Sequence, residues 1–526
     1  MSKIHILDCT LRDGGYINKW NFGKENIREI ITNLDAANVD IVECGFLRDV
    51  PYSEDVSVYS CVSQITPFIT PKKESSLYVA MIALGDIAPE KILPCDGTSI
   101  DGIRLSFHKH EWEEAKLVAM DLMAKGYKLF IQPVGTTAYT DLELLNLIEE
   151  VNKLRPYSFH LVDTLGVLYR NDLLRLFYLI DHNLVPQINL GFHSHNNLQL
   201  SFANAQELLR QDSKRNIVID TAVYGMGRGV GNLATELLAE YVNMNIEQRY
   251  SIIPLLTIAD KYLMSVYAQQ KWGYDLPYFL SAAYQCHPNY AAYLLRKETL
   301  DIPTISRMLS LLPVDKRDLY HKDLIEDIYY SIQSCQYDDG RTITELRGSL
   351  EGEPILLLAP GATLQTEAAK VQAYIEVNQP IVIAINFIPE SFDEDIIFIS
   401  NRKRLSSLQS KIKQCAKIIA TSNLQDSLPE CVNFINYASY LGEGKASDNA
   451  GAMLIRFLAQ VGVKQIALAG FDGFAVNTNE NYCVDSYKNV LEDDEAQKKN
   501  VEITRQLKLA LNDVNYEVIT STRYEI

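Results

Sequence analysis

The chain has 526 residues, 47% of them apolar, with 67 acidic against 49 basic side chains and a net charge of −18. That balance disfavours nucleic acid and anionic membrane as bulk partners, and the length calls for two or three domains. The nine cysteines are scattered and never form a Cys-x-x-Cys pair, which argues against a disulfide framework or a thiolate zinc site and suits a reducing cytosol.

The first half alternates apolar, strand-like runs with amphipathic stretches of helical period. The runs are His5–Asp8, Asp40–Gly45, Leu77–Ala83, Gly102–Phe107, Lys128–Pro133, Phe159–Asp163, Ile188–His193 and Ile217–Ala222, with helices such as Lys24–Ala36 and Glu111–Lys125 between them. Eight such units within about 250 residues predict a (β/α)8 TIM barrel over 1–250. The rival, a doubly wound open sheet, lacks its Gly-x-Gly-x-x-Gly after the first strand. No apolar run is long enough to cross a bilayer and no secretion leader precedes the first strand, so a cytoplasmic protein is expected.

Several of these strands end on polar groups: Asp8 with Arg12 and Asp13, Glu43, Arg104 with His108, Gln132, Asp163, and His193 with His195. The C-terminal strand ends of a barrel are where catalytic groups collect. From 251 to 335 the pattern turns helical and rich in Tyr and Leu, broken at Trp272–Tyr278 and at His287-Pro288, and is expected as an extension packed on the barrel mouth. Gln336–Glu353 is expected as a linker. From 350 to 526 a second domain is expected, α/β and Rossmann-like, with strands Ile355–Ala359, Ile381–Ile385, Ile396–Ile399, Lys417–Ala420 and Gln465–Ala469. Its small-residue turn Pro360–Thr363 is a candidate phosphate cradle, and Arg402, Lys403 and Arg404 are either a binding patch or a solvated face.

Histidines at i and i+2 on a strand project to one side, so His193 and His195 can meet one ion. Adding the Asp13 carboxylate makes a two-histidine, one-carboxylate set with open positions, and the glycine-rich loop Gly225–Asn232 can bring Asn232 inward as a further ligand. This N/O set suits Mn²⁺ or Mg²⁺ better than structural zinc. A divalent ion beside Arg12 fits stabilisation of a 2-oxo acid enolate.

Three stretches carry a family resemblance. Asp8-Cys9-Thr10-Leu11-Arg12-Asp13-Gly14, Gly191-Phe192-His193-Ser194-His195-Asn196 and Gly225–Asn232 resemble the signatures of the DRE-TIM metallolyase (HMGL-like) superfamily over about residues 3–300. The resemblance implies a metal-bearing barrel with Asp13, His193 and His195 as ligands, Asn232 as a further one, and Arg12 as the enolate-stabilising group. Hydroxyoxovalerate aldolases carry a catalytic His where this chain has Tyr16. Condensing synthases show Glu-Gln where it has Gly15-Tyr16, and the lyases carry a Cys in the loop after strand eight that is missing here. By elimination the chain is most similar to 4-hydroxy-2-oxovalerate aldolases, so a small 2-oxo acid (pyruvate-type) and an aldehyde are the expected substrates and a homo-oligomer the expected assembly. Tyr16 is then a proton-transfer group or a water-orienting one, with Glu43 and His108 also candidates for proton transfer or positioning.

The rivals are a Claisen-type enzyme condensing an acyl-CoA with a 2-oxo acid and a bifunctional protein. In the second, Asp448–Ala452 and Val463–Asp472 are similar to the core of bacterial sialyltransferase-type domains. That resemblance implies binding or transfer of a nucleotide-activated sugar and a place in surface-glycan synthesis.

Overall fold

A computed structural model describes residues 3–334, 336–408, 417–429, 432–444, 446–476, 480–484, 487 and 493–526. The chain divides into two compact units, Met1–Ala292 with Pro313–Tyr320 and Tyr293–Leu312 with His321–Ile526. The helical stretch expected over 251–335 is thus shared between them. Among the described residues no helix is long and apolar enough to cross a membrane.

The first unit is the expected barrel. Its strands are β1 (Ile4–Asp8), β2 (Ile41–Leu47), β3 (Leu77–Ala83), β4 (Gly102–Phe107), β5 (Lys128–Pro133), β6 (Ser158–Asp163), β7 (Asn189–Ser194) and β8 (Ile217–Thr221). All pair in parallel, each with its sequence neighbours, and β1 closes the ring on both β2 and β8. Outward-facing residues such as Ile6, Val42, Ile103 and Leu161 pack under the helices in the main core.

Inward-facing residues are layered. Leu7, Ile41, Val79, Phe130 and Val218 fill an apolar layer. Two residues further along their strands, on the same face because side chains alternate, Ile41 gives way to Glu43, Phe130 to Gln132 and Val218 to Asp220. All three are at most 3% exposed. The barrel is therefore sealed by hydrocarbon below and polar toward the ends where strands lead into loops.

Strand β2 contains an irregularity that serves the polar layer. Its register with β3 shifts between Glu43 and Phe46. Gly45 takes φ +142°, and a Cβ there would lie 2.0 Å from the Ser57 carbonyl oxygen. Ser57 Oγ in turn donates to the Leu11 carbonyl at 2.6 Å, tying this strand to the segment that carries Arg12.

The second unit is an α/β domain around an all-parallel open sheet. Its strands are β9 (Ile355–Leu358), β10 (Ile381–Ile385), β11 (Ile396–Ile399), β12 (Lys417–Thr421), β13 (Asn433–Ile435), β14 (Gln465–Ala469) and β15 (Asn515–Val518). Their order is β13-β12-β11-β10-β9-β14-β15, so the winding reverses between β9 and β14. The inner strands are buried on both faces, one against helices Ala450–Gln460 and Asp493–Leu511 and the other against Ala368–Asn378, whereas the edge strand β15 is largely exposed. That two-sided burial explains their unbroken apolar runs. The expected linker is corrected: Gly340–Leu350 is a helix, because Thr342, Leu346 and Leu350 recur every four residues and are buried.

Substituting Gly45→Ala should destabilise the barrel by at least about 3 kcal/mol, since the new methyl meets backbone that has no alternative course. Urea denaturation of wild type and variant measures this.

Candidate metal centre and active site

The site begins where β1 ends. Thr10–Gly14 forms one wide helical turn, with every residue buried, and this turn rather than a straight strand exit presents Arg12 and Asp13 inward. The Arg12 guanidinium is bound on two sides: Nε donates to Glu43 Oε2 at 2.9 Å and Nη1 to Asp13 Oδ1 at 2.7 Å. Its Nη2 is buried and has no hydrogen-bond partner among the described residues. Glu43 Oε2 also accepts from Arg104 Nη1 at 2.7 Å, and Arg104 Nη2 pairs with Asp220. Asp220 reaches His193 Nδ1 at 3.0 Å. A continuous ionic chain, Asp13–Arg12–Glu43–Arg104–Asp220, therefore crosses the barrel interior and ends beside His193.

Asp13, His193 and His195 offer ligand atoms that all lie within 4.8 Å of one another. Asn232 stands beside them, its Nδ2 donating to Asp13 Oδ2 at 2.5 Å and to the Met226 carbonyl at 3.1 Å. The loop that carries Asn232 needs its glycines: a Cβ on Gly227 would lie 2.1 Å from Asn232 Nδ2 and 2.8 Å from Asp13 Oδ2.

The donor set fits a divalent cation on three counts. Asp220 Oδ2 approaches His193 Nδ1 to 3.0 Å, on the side where carboxylates stand behind metal-binding histidines, which leaves Nε2 for an ion. Asn232 Oδ1 and His195 Nδ1 are buried acceptor-capable atoms without partners. Charge is also unbalanced, since two guanidiniums face three buried carboxylates. Burial alone would raise the Asp13 carboxyl, but Arg12, helped by the Asn232 hydrogen bond, outweighs it and holds it well below the usual carboxylate range. Burial also pushes His195 down to about 4 against the pull of Asp13, so its ring is neutral and able to ligate at neutral pH.

The other sequence candidates fall in different places. Glu43 is 1% exposed, and one of its oxygens is shared by two guanidiniums, which makes it a holder of Arg12. Tyr16 is 39% exposed and sits edge-on to Trp20 and Phe46, with the Arg228 guanidinium 5.9 Å from its ring centre. His108 lies on the wall of a cavity of about 410 Å³ at the barrel mouth, together with His195, Thr164, Arg228, Tyr278 and His287. Arg228 and His287 face each other there at 3.4 Å.

Two residues of the interior were not singled out from the sequence, Asp220 and His160. Their signal is a polar residue at an inward position inside an otherwise apolar strand, as in Phe159-His160-Leu161 and Ile219-Asp220-Thr221. His160 is fully buried, and neither ring nitrogen has a hydrogen-bond partner.

Similarity to known proteins agrees with the geometry. Residues 113–260 match the HMGL-like family model. A 4-hydroxy-2-oxovalerate aldolase of Geobacillus genomosp. 3 is 26% identical over 264 residues, covering 49% of this chain and 76% of the relative. An oxaloacetate decarboxylase of Mycobacterium tuberculosis is 25% identical over 241 residues, covering 44% and 68%. The crystal structure of the N-terminal domain of a proposed aldolase from Bacteroides vulgatus aligns with a TM-score of 0.51 and 26% identity, over 58% of this chain and 99% of that one. The HMGL-like match thus falls on the TIM barrel and takes in the second and third of the three motifs, Gly191–Asn196 and Gly225–Asn232.

Two outcomes follow for the site. Millimolar Mn²⁺ or Mg²⁺ should raise the melting temperature of the wild type, and His195→Ala should abolish the rise, read by calorimetry with and without chelator. Burial holds the His160 imidazole down to about 3, opposed by Asp220, against an ordinary value of 6.5. The unfolded chain therefore takes up a proton that the folded barrel refuses, and stability is lost as pH falls below 6.5. From pH 7 to pH 5 the wild type should lose about 2 kcal/mol more than His160→Gln, measured by urea denaturation at each pH.

Proposed function

We propose that the barrel is a divalent-metal-dependent aldolase that makes or breaks a carbon–carbon bond through the enolate of a pyruvate-type 2-oxo acid. The observation that carries this reading is the state of Arg12: two of its nitrogens are spent on Asp13 and Glu43, and Nη2 is left buried and unmatched beside the Asp13, His193 and His195 set. A donor held on two sides and free on the third is preorganised for negative charge that develops during reaction.

Asp13, His193 and His195 would hold the ion, with Asn232 Oδ1 as a further oxygen, and the ion, Mn²⁺ or Mg²⁺, would act as a Lewis acid toward the keto and carboxylate oxygens of the donor. Arg12 donates to the oxyanion of the enolate. Glu43 keeps the guanidinium oriented and is itself fixed by Arg104. In the forward direction the methyl carbon of the donor gives up a proton and bonds to the aldehyde carbon, and one proton is delivered to the aldehyde oxygen, so that a relay which takes up the first and releases the second leaves the site unchanged. Tyr16, on the rim, is assigned that proton transfer, directly or through a water. Arg228 and His108 at the mouth suit an anionic donor entering the cavity. The names of the similar proteins, an aldolase and a decarboxylase, support chemistry at the carbon next to a 2-oxo group.

The test is deuterium exchange into the methyl group of pyruvate, followed by NMR, with Mn²⁺ and with chelator. Exchange should require the metal and fall by about 10²–10³-fold in Arg12→Ala. Arg12→Lys, which keeps a charge against Asp13 and Glu43, guards against a simple folding defect. Metal-stabilised wild-type protein that shows no exchange rules out pyruvate as the donor.

A further inference from the structure

The second unit holds a cavity of about 360 Å³ that the barrel chemistry does not use. It lies at the carboxyl ends of β9, β10, β11 and β14, where the strand order reverses. In open α/β sheets this crevice is where ligands bind.

The turn after β9, the expected phosphate cradle, is already satisfied from within. Gly361 N–H donates to the Ala359 and Gly470 carbonyls at 2.9 and 3.1 Å, and Thr363 N–H donates to Asp472 Oδ2 at 2.7 Å. A Cβ on Gly361 would meet Asp472 Oδ1 at 2.3 Å, so a carboxylate stands where a phosphate would have to sit.

The cations are on other elements that line the same cavity. Of the three basic residues after β11, Arg402 is consumed by Asp426, Ser427 and the Asn423 carbonyl. Arg404 is not. Its guanidinium lies 3.4 Å above the centre of the Tyr487 ring and 5.7 Å from that of Tyr482, and it makes no ion pair among the described residues. Tyr487 is 4% exposed and fixed by its hydroxyl donating to the Asn386 carbonyl at 3.1 Å. A guanidinium immobilised on an aromatic face keeps its edge for a bidentate anion. Lys499 also lines the cavity, 5.2 Å from the Phe474 ring centre and in a long ion pair with Glu495 at 4.0 Å. The eleven-residue helix Ala450–Gln460 begins at the cavity wall and adds the positive end of its dipole.

We propose that this crevice is a second ligand site, for a nucleotide, with the phosphate on Arg404 and Lys499 and the base against the tyrosine and phenylalanine rings. Cations alone would suit any anion; cations interleaved with Tyr482, Phe474 and Tyr524 suit one that carries a flat ring. The lining carboxylates suit sugar hydroxyls. Asp448 already accepts from the Tyr329 hydroxyl at 2.5 Å, which shows it taking such donors.

The site is independent of the barrel reading, and so is its test. The full chain is titrated calorimetrically with the 5′-mono- and diphosphates of adenosine, guanosine, cytidine and uridine, without metal. At least one should bind, with inorganic phosphate competing, and Arg404→Gln should weaken it by about tenfold or more. Lys499→Gln, on a separate helix, is the second variant and should weaken it in the same direction. Hydrogen exchange on the wild type should show protection at 446–451 and 470–474 when nucleotide is bound. No binding of any of the eight up to about 1 mM, undiminished binding in both variants, or protection confined to the barrel would overturn the proposal.

Discussion

The barrel half of this protein depends on one buried guanidinium. Arg12 is 5% exposed, and its charge is tolerated there because two carboxylates hold it. Each of those carboxylates has a second duty: Glu43 also binds Arg104, and Asp13 also belongs to the candidate metal set. Removing any one member leaves a charge unpaired in a low-dielectric interior, at a cost of about 3–5 kcal/mol. The chain of ion pairs therefore has one arrangement, and that arrangement aims the free nitrogen of Arg12. Stability and chemistry rest on the same contacts.

The fold supplies what this chain of charges cannot. Strands β2, β5 and β8 place apolar residues below and polar residues above, so the ionic layer sits on a dry floor of Leu7, Ile41, Val79, Phe130 and Val218. Water is kept from the lower side, while the upper side opens into the mouth cavity beside His195 and Arg228. The bulge at Gly45 and the glycine loop before Asn232 are local departures from regular geometry, and both occur where backbone must pass close to the polar layer. Regular strands build the wall, and these irregular points set the aim.

The second unit uses parallel strands differently. Its sheet is open, so the polar groups at the strand ends line a crevice at the point of reversal instead of a ring. Its charges are also less committed: Arg404 rests on an aromatic face with no ion pair among the described residues, whereas each guanidinium and carboxylate of the barrel layer takes part in at least one ion pair.

Much of this was legible in the order of the residues. Strands Leu77–Ala83, Gly102–Phe107 and Lys128–Pro133 have the same limits in the structure as in the sequence reading, because apolar runs between turn residues are a local property. Asp13, His193 and His195 were legible as a candidate set, since the i, i+2 histidine pair and the carboxylate all fall at strand ends of one barrel rim. Three things were not. The helix at Gly340–Leu350 was hidden because its apolar face is thin and needs the second core to stabilise it. The role of Glu43 depends on Arg104, 61 residues away, and pairing at that distance leaves no local trace. The turn at Pro360–Thr363 has the composition of a phosphate cradle, yet its N–H groups are taken by Asp472 and Gly470, more than a hundred residues later in the chain. The sequence by itself determined the strands and the barrel and pointed to the members of the candidate metal set, since these follow from periodicity and side-chain chemistry. Only the tertiary structure decided which charges neutralise one another and which stay free, because that depends on distances between strands that the chain order does not contain.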